Sequence, residues 1–194
     1  MNTSYLKELY VEADKKSSLV LLNAKQLRDA SKDIAKHLAG GGRKGMVISY
    51  SMQAMQFLSE PEVQEIGKDS LVFADLNSGK SGKERLDGFE VINIENPANL
   101  TRLEIHLERF LKKDKEPKFV LFESVSALSV YVDEKTLQKF IYFLNNKMGL
   151  EEGTLVILTV KDSTSGGTLG LIKQFSDKTF DFSGIFTSEV ESLV

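Results

Sequence analysis

The stretch FVLFESVSALSVYVDEKTLQKFIYFLNNKM (119–148) reads as a buried strand, a short connection and a long amphipathic helix. With Lys118 added, KFVLFES (118–124) is apolar up to Glu123, the pattern of a strand covered on both faces. Asp133 stands where an N-cap accepts hydrogen bonds from the first free backbone N–H groups of a helix. Leu137, Phe140, Ile141, Leu144 and Met148 then recur at helical spacing on one face.

The same alternation extends outward in both directions. TLVILTV (154–160) is a second doubly buried strand, and DKTFDF (177–182) alternates like a final edge strand. Upstream, SLVLLN (18–23), GMVISYS (45–51), LVFAD (71–75) and FEVINI (89–94) read as strands. Leu27, Ala30, Ile34 and Leu38 mark a helix over 25–39 that Gly40, Gly41 and Gly42 stop. Leu100, Leu103, Leu107, Phe110 and Leu111 mark another. A moderately helical stretch is bounded near Pro61, and LNSGKSGKERLDG (76–88) is polar and glycine-rich, the composition of an exposed loop. Strands alternating with helices predict an α/β fold with a mostly parallel central sheet between two helical layers. The expectation is one domain over 1–194, with a helical extension at 1–17, where Tyr5, Leu6, Leu9 and Tyr10 are apolar, and a core at 18–182.

Composition excludes several classes. The 194 residues are 41% hydrophobic and 27% charged, a globular balance with enough chain for a core without disulfides. There is no cysteine, hence no thiolate metal site and no catalytic thiol. No apolar run reaches the roughly 20 residues that span a bilayer. MNTSYLKELYVEAD carries acidic residues and no apolar signal core, so the expectation is a cytoplasmic protein. The net charge is −3 and basic residues alternate with acidic ones, as in KKDKEPK (112–118), which argues against generic nucleic-acid binding.

Taken in order, these segments resemble the RecA/KaiC superfamily of ATPase cores. The resemblance lies in FVLFESVSALSVYVDEKTLQKFIYFLNNKM (119–148), GGGRKGMVISYS (40–51), FEVINIENPANLTRLEIHLERFL (89–111) and LGLIKQFSDKTFDF (169–182). The third of these is similar to a branch of archaeal KaiC-like proteins, several of them degenerate at the nucleotide site. The resemblance implies a RecA-like, P-loop NTPase-type three-layer sandwich. It also implies three catalytic elements. An active core carries G-x-x-x-x-G-K-[ST] between its first strand and the next helix, where backbone N–H groups and a lysine hold phosphates. Here that interval is NAKQLRDASKD (23–33), without glycine, and the lysine position falls on Ala30 or Ser31. Lys25, Arg28 and Lys32 lie nearby and read as a solvated helix face. The family's catalytic glutamate follows its second strand; SYSMQAM (49–55) has no acidic residue, and Met52 and Met55 read as core. At the end of the Walker-B-like strand, Glu123 stands where the family has aspartate. Glu123 and Ser124 are the candidate cofactor-binding residues, able to order a Mg²⁺-bound water or to orient the adjoining loop.

ADLNSGKS (74–81) matches a loose phosphate-loop pattern, but GKERLDG and a new strand follow instead of the helix the motif must open. His37 and His106 sit on different helices without ligand spacing, and His106 reads as an exposed structural histidine. Ser163 to Gly167 form a polar loop at the rim of a ligand crevice, or a mobile connection. No catalytic or metal residue is assigned, and neither ATP nor Mg²⁺ is the favoured cofactor. The first reading is a catalytically silent RecA/KaiC-like domain acting in regulation or signalling through protein–protein contacts, with self-association implied by the resemblance. The alternative is a nucleotide-binding protein or weak ATPase with an altered, non-Walker-A site. Nucleic-acid binding ranks last.

Overall fold

Long β-branched and leucine-rich runs bury both faces of a strand, and that requirement organises the molecule. The structure, a computed structural model, describes residues 6–13 and 16–185. Strands β1 (Ser17–Leu22), β2 (Lys44–Ser49), β3 (Leu71–Asp75), β4 (Gly82–Leu86), β5 (Phe89–Asn93), β6 (Lys118–Glu123), β7 (Thr154–Val160) and β8 (Lys178–Asp181) form one sheet, ordered β4-β5-β3-β2-β6-β7-β1-β8. Every neighbouring pair is parallel except β4 with β5.

Successive side chains on a strand point to opposite faces, so each central strand feeds two cores. Val20 and Leu22 of β1, Phe119 and Leu121 of β6, and Val156 and Leu158 of β7 enter the first. Leu19 and Leu21, Val120 and Phe122, and Leu155 and Ile157 enter the second. Over the first face lie α1 (Lys7–Glu12), α2 (Leu27–Gly40), α3 (Ala54–Leu58) and α4 (Pro61–Gln64). Over the second lie α5 (Leu100–Lys112), α6 (Val125–Leu128), α7 (Glu134–Leu150) and α8 (Gly166–Phe175). Side-chain caps fix where α5, α7 and α8 begin. Asn99 accepts from Arg102 N at 3.1 Å, Asp133 from Thr136 N at 2.7 Å and Ser165 from Thr168 N at 3.1 Å.

Several expectations need correction. Within the segment expected as a helical extension, α1 packs Leu6, Leu9 and Ala13 into the first core, and Ser17 already belongs to β1; Tyr5 lies outside the described residues. Of the polar stretch 76–88, residues 76–81 are loop as expected, but 82–88 are a strand and turn of a hairpin. Asp87 and Gly88 have φ of 50° and 89°, which turns the chain so that β4 pairs back on β5. Pro61 opens a helix at its first turn, where no N–H is needed. Met55 is 66% exposed, not core, whereas Met52 is buried.

Gly45 shows how tightly the central strands pack. A Cβ built there would fall 1.9 Å from Phe119 Cζ on the neighbouring strand. Gly45→Ala should therefore destabilise the fold by about 1–3 kcal/mol through overpacking. Urea denaturation reads this directly, and an unchanged midpoint contradicts the packing described.

Candidate functional site

Parallel strands deliver all their carboxyl ends to one side of a sheet. The adjacent strands β2 and β6 then send their chains to opposite faces, into α3 and into α6, a divergence that opens a crevice between them. Glu123 and Ser124 stand at this point. Glu123 is fully buried, and its register partner across the ladder is Ser49. Ser49 Oγ lies 2.7 Å from Glu123 Oε2, and Ser51 Oγ donates to Oε1. The peptide joining Glu123 to Ser124 is cis.

Burial pushes the Glu123 carboxyl above its usual range, and the Ser49 and Ser51 hydroxyls only partly offset this. Proton counting points the same way. Ser49 Oγ has one proton, yet it faces both Glu123 Oε2 and Met52 O, the latter at 3.0 Å, while accepting from Met52 N. A protonated Glu123 resolves the conflict by donating to Ser49, which then donates to Met52 O. Ser124, also buried, starts a hydroxyl chain across the tips of β6 and β7. Its Oγ lies 2.8 Å from Ser126 Oγ, Ser126 N donates to Thr159 Oγ1 at 3.2 Å, and Thr159 Oγ1 lies 2.7 Å from Thr164 Oγ1. Both side chains thus have hydrogen-bond partners within the protein.

The junction of β1 with α2 spans only residues 23–26. Asn23 N donates to Gln26 Oε1 at 2.8 Å, and Gln26 N donates back to Asn23 Oδ1 at 3.1 Å. The Gln26 amide, fully buried, donates to the carbonyls of Phe182 and Ile185, each at 3.1 Å. The chain after β8 therefore lies across the start of α2. Ala30 and Ser31, where the lysine position falls, are buried one turn into the helix. Lys25 is exposed, but Lys32 is not the solvated residue expected: it is 8% exposed and pairs with Asp29 at 3.0 Å and Glu60 at 3.2 Å. Arg28 also pairs with Glu60.

Of the other candidates, ADLNSGKS runs from β3 into β4, so no helix begins after Lys80. Sequence reasoning passed over Asp75 and Asn93, two buried polar side chains at strand ends. Asp75 accepts from Ala54 N at 2.7 Å and Asn77 N at 2.8 Å; Asn93 bonds Glu84 and Ser78. They flank a cavity of about 80 Å³ beside Lys80. A polar residue closing a buried apolar run was the available signal. His37 stacks on Tyr10 at 4.0 Å. His106 is half-buried rather than exposed, with Nδ1 shielded from solvent and unpartnered. The loop expected at 163–167 narrows to Thr164 and Ser165. A 3-10 turn ends at Ser163, and Gly166 and Gly167 start α8 behind the Ser165 cap. Among the described residues, no three His, Asp or Glu side chains come together as a metal site, and no helix is long and apolar enough to cross a membrane. A cleft of about 680 Å³ lies at the opposite end of the sheet, by Ser17, Asn145 and Asp177.

No family model and no curated protein matches the sequence. Among solved structures, the chain is similar to a crystal structure of a KaiC-like protein from the hyperthermophilic archaeon Pyrococcus horikoshii OT3. The two share 12% identity with a TM-score of 0.56, over 87% of this chain and 72% of that one. The fold is therefore RecA-like, an α/β three-layer sandwich on a mostly parallel sheet.

The buried acid makes a measurable demand on pH. A folded-state pKa above the ordinary 4.5 means that its stabilising protonation is complete below 4.5 and lost as pH rises toward the folded value. Glu123→Gln is neutral throughout and keeps one donor and one acceptor. It should match the wild type below pH 4.5 and exceed its stability increasingly above it. Denaturation from pH 4 to 8, on the order of that window, reads the gap; parallel curves contradict a buried neutral acid.

Proposed function

We propose that this chain is a catalytically silent RecA/KaiC-like domain, working in regulation or signalling inside the cytoplasm through protein–protein contacts. The observation that supports this is the Asn23–Gln26 turn. Phosphate binding at a helix start needs free backbone N–H groups and close backbone approach. Here side chains occupy the turn, Gln26 is tied to the carbonyls of Phe182 and Ile185, and no glycine makes room. The interval carries a degenerate Walker A in this reading, and self-association or a separate protein partner supplies the output.

A second reading keeps the nucleotide. Glu123 is an acid at the tip of the Walker-B-like strand, and its burial beside two serines resembles a retained site from which the phosphate loop has been lost. In that case ATP and Mg²⁺ bind weakly through an altered, non-Walker-A arrangement. Calorimetric titration with ATP and ADP, with and without Mg²⁺, separates the two. The silent domain gives no heat at millimolar nucleotide, on the order of the weakest useful affinity. Micromolar, Mg²⁺-dependent binding that Glu123→Gln weakens overturns the first reading in favour of the second.

A further inference from the structure

The charges that alternate along TRLEIHLERFLKK are sorted by the helix they form. Arg102, His106, Arg109 and Lys113 follow each other at i, i+4, i+7 and i+11, so they line one flank of α5. Glu104 and Glu108 take the other flank, where Lys147 of α7 holds Glu108 at 2.5 Å. The basic flank faces the hairpin. Arg102 donates to Ser81 Oγ at 3.1 Å, and Lys113 reaches Glu90 at 3.6 Å. Lys83 and Arg85 project from β4 on the same side, because their register partners Ile92 and Glu90 lie on the α5 face of the sheet.

Lys83, Arg85, Arg102, Arg109 and Lys113 thus gather around His106 along the sheet edge. Glu90 pairs with Lys83 at 2.6 Å and Lys113 at 3.6 Å, and Asp69 with Arg85 at 3.8 Å, while Arg102 and Arg109 have no carboxylate partner among the described residues. The surface runs into a cleft of about 280 Å³ where Lys44, Lys68, Arg85 and Lys113 outnumber Asp69, Glu90 and Asp114. Burial lowers the pKa of His106, and Lys83, Arg102 and Arg109 lower it further, as a concentration of positive charge requires. β4 is the outermost strand, with no neighbour on its far side among the described residues. Its outer backbone groups are a template for an added strand.

We propose that this surface docks an acidic, extended segment of a partner protein, laid along α5 with its backbone beside the free edge of β4. The proposal names a partner class for the protein-contact reading above and rests on it. Protein suits the site better than nucleic acid. Glu90 and Asp69 interrupt the cations. A segment that alternates acidic and neutral residues can set its carboxylates on Arg102 and Arg109 and pass Glu90 and Asp69 with neutral ones, which a continuous phosphate chain cannot do. The exposed apolar residue within the stripe is Ile105, 46% exposed, which suits a side chain rather than a stacked base.

The test is fluorescence anisotropy with a labelled peptide of alternating glutamate and valine. An alternating lysine–valine peptide and oligothymidylate serve as comparators. The acidic peptide should bind with micromolar affinity at low salt and weaken as salt rises. Arg102→Ala with Arg109→Ala should reduce that affinity by about tenfold. Lys135→Ala with Lys139→Ala, on exposed positions of α7, should leave it unchanged. Thermal melting shows that each variant stays folded. The surface is overturned if the peptide does not bind, if the arginine pair makes no difference, or if oligothymidylate binds more tightly than the peptide. Absence of peptide binding with no nucleotide heat removes this surface and leaves the protein-contact reading. Nucleotide heat with peptide binding intact does the reverse.

Discussion

The backbone of a doubly buried strand has no water to bond, so each amide must find its partner in the sheet. Strands β1, β2, β6 and β7 are under that constraint, with no exposed residue along any of them. They are parallel, and a parallel pair needs a crossover long enough for a helix. The helices therefore fall on both faces, and the carboxyl ends of seven strands emerge together on one side. Any chemistry the domain performs at its crevice is set by what stands at those tips.

At the tips, the sequence places polar side chains whose bonds close on one another. Glu123 holds Ser49 and Ser51, Asp75 holds the start of α3, and Thr159 joins the hydroxyl chain from Ser124. Gln26 spends its amide on the chain after β8. A ligand entering here has to replace bonds already made in a low-dielectric setting, where an unpaired group costs about 1–3 kcal/mol. The same groups read in isolation as remnants of a nucleotide site; in place they read as struts. Between the tips of β2 and β6, fold and site are the same set of interactions.

How much of this was legible depends on where the information lies. The limits of β3 (71–75) and β7 (154–160) coincide with apolar runs, because local composition alone states two-sided burial. The Asp133 cap is legible for a similar reason, since both partners lie within three residues. β4 was missed because its residues alternate in charge rather than hydropathy; the Asp87–Gly88 turn was the signal, and it was overlooked. Glu123 was legible as a residue, but the burial that raises its pKa was not. Its environment depends on the register of β2 against β6, which brings residue 49 to residue 123, and no local pattern contains that number. The Gln26 contacts, spanning 156 and 159 positions, are beyond any local reading.

Charge shows the same limit from the opposite direction. Counted along the chain, lysines and arginines are diluted by acids, and the total of −3 argues against polyanions. Counting in sequence order treats neighbours as interacting, whereas a helix separates residues one apart by about 100° and joins those three or four apart. Along α5 this turns an alternating string into an acidic flank held by Lys147 and a basic flank beside β4. The screening length at physiological salt is about 8 Å. A ligand passing the sheet edge therefore experiences the unpaired Arg102 and Arg109 beside the Lys83–Glu90 pair and hardly registers Glu104 and Glu108 on the far side of the helix. Net charge governs how two whole molecules approach; what binds at a surface is decided by the few charges within one screening length, and here the fold has gathered an excess of cations, with Glu90 and Asp69 among them.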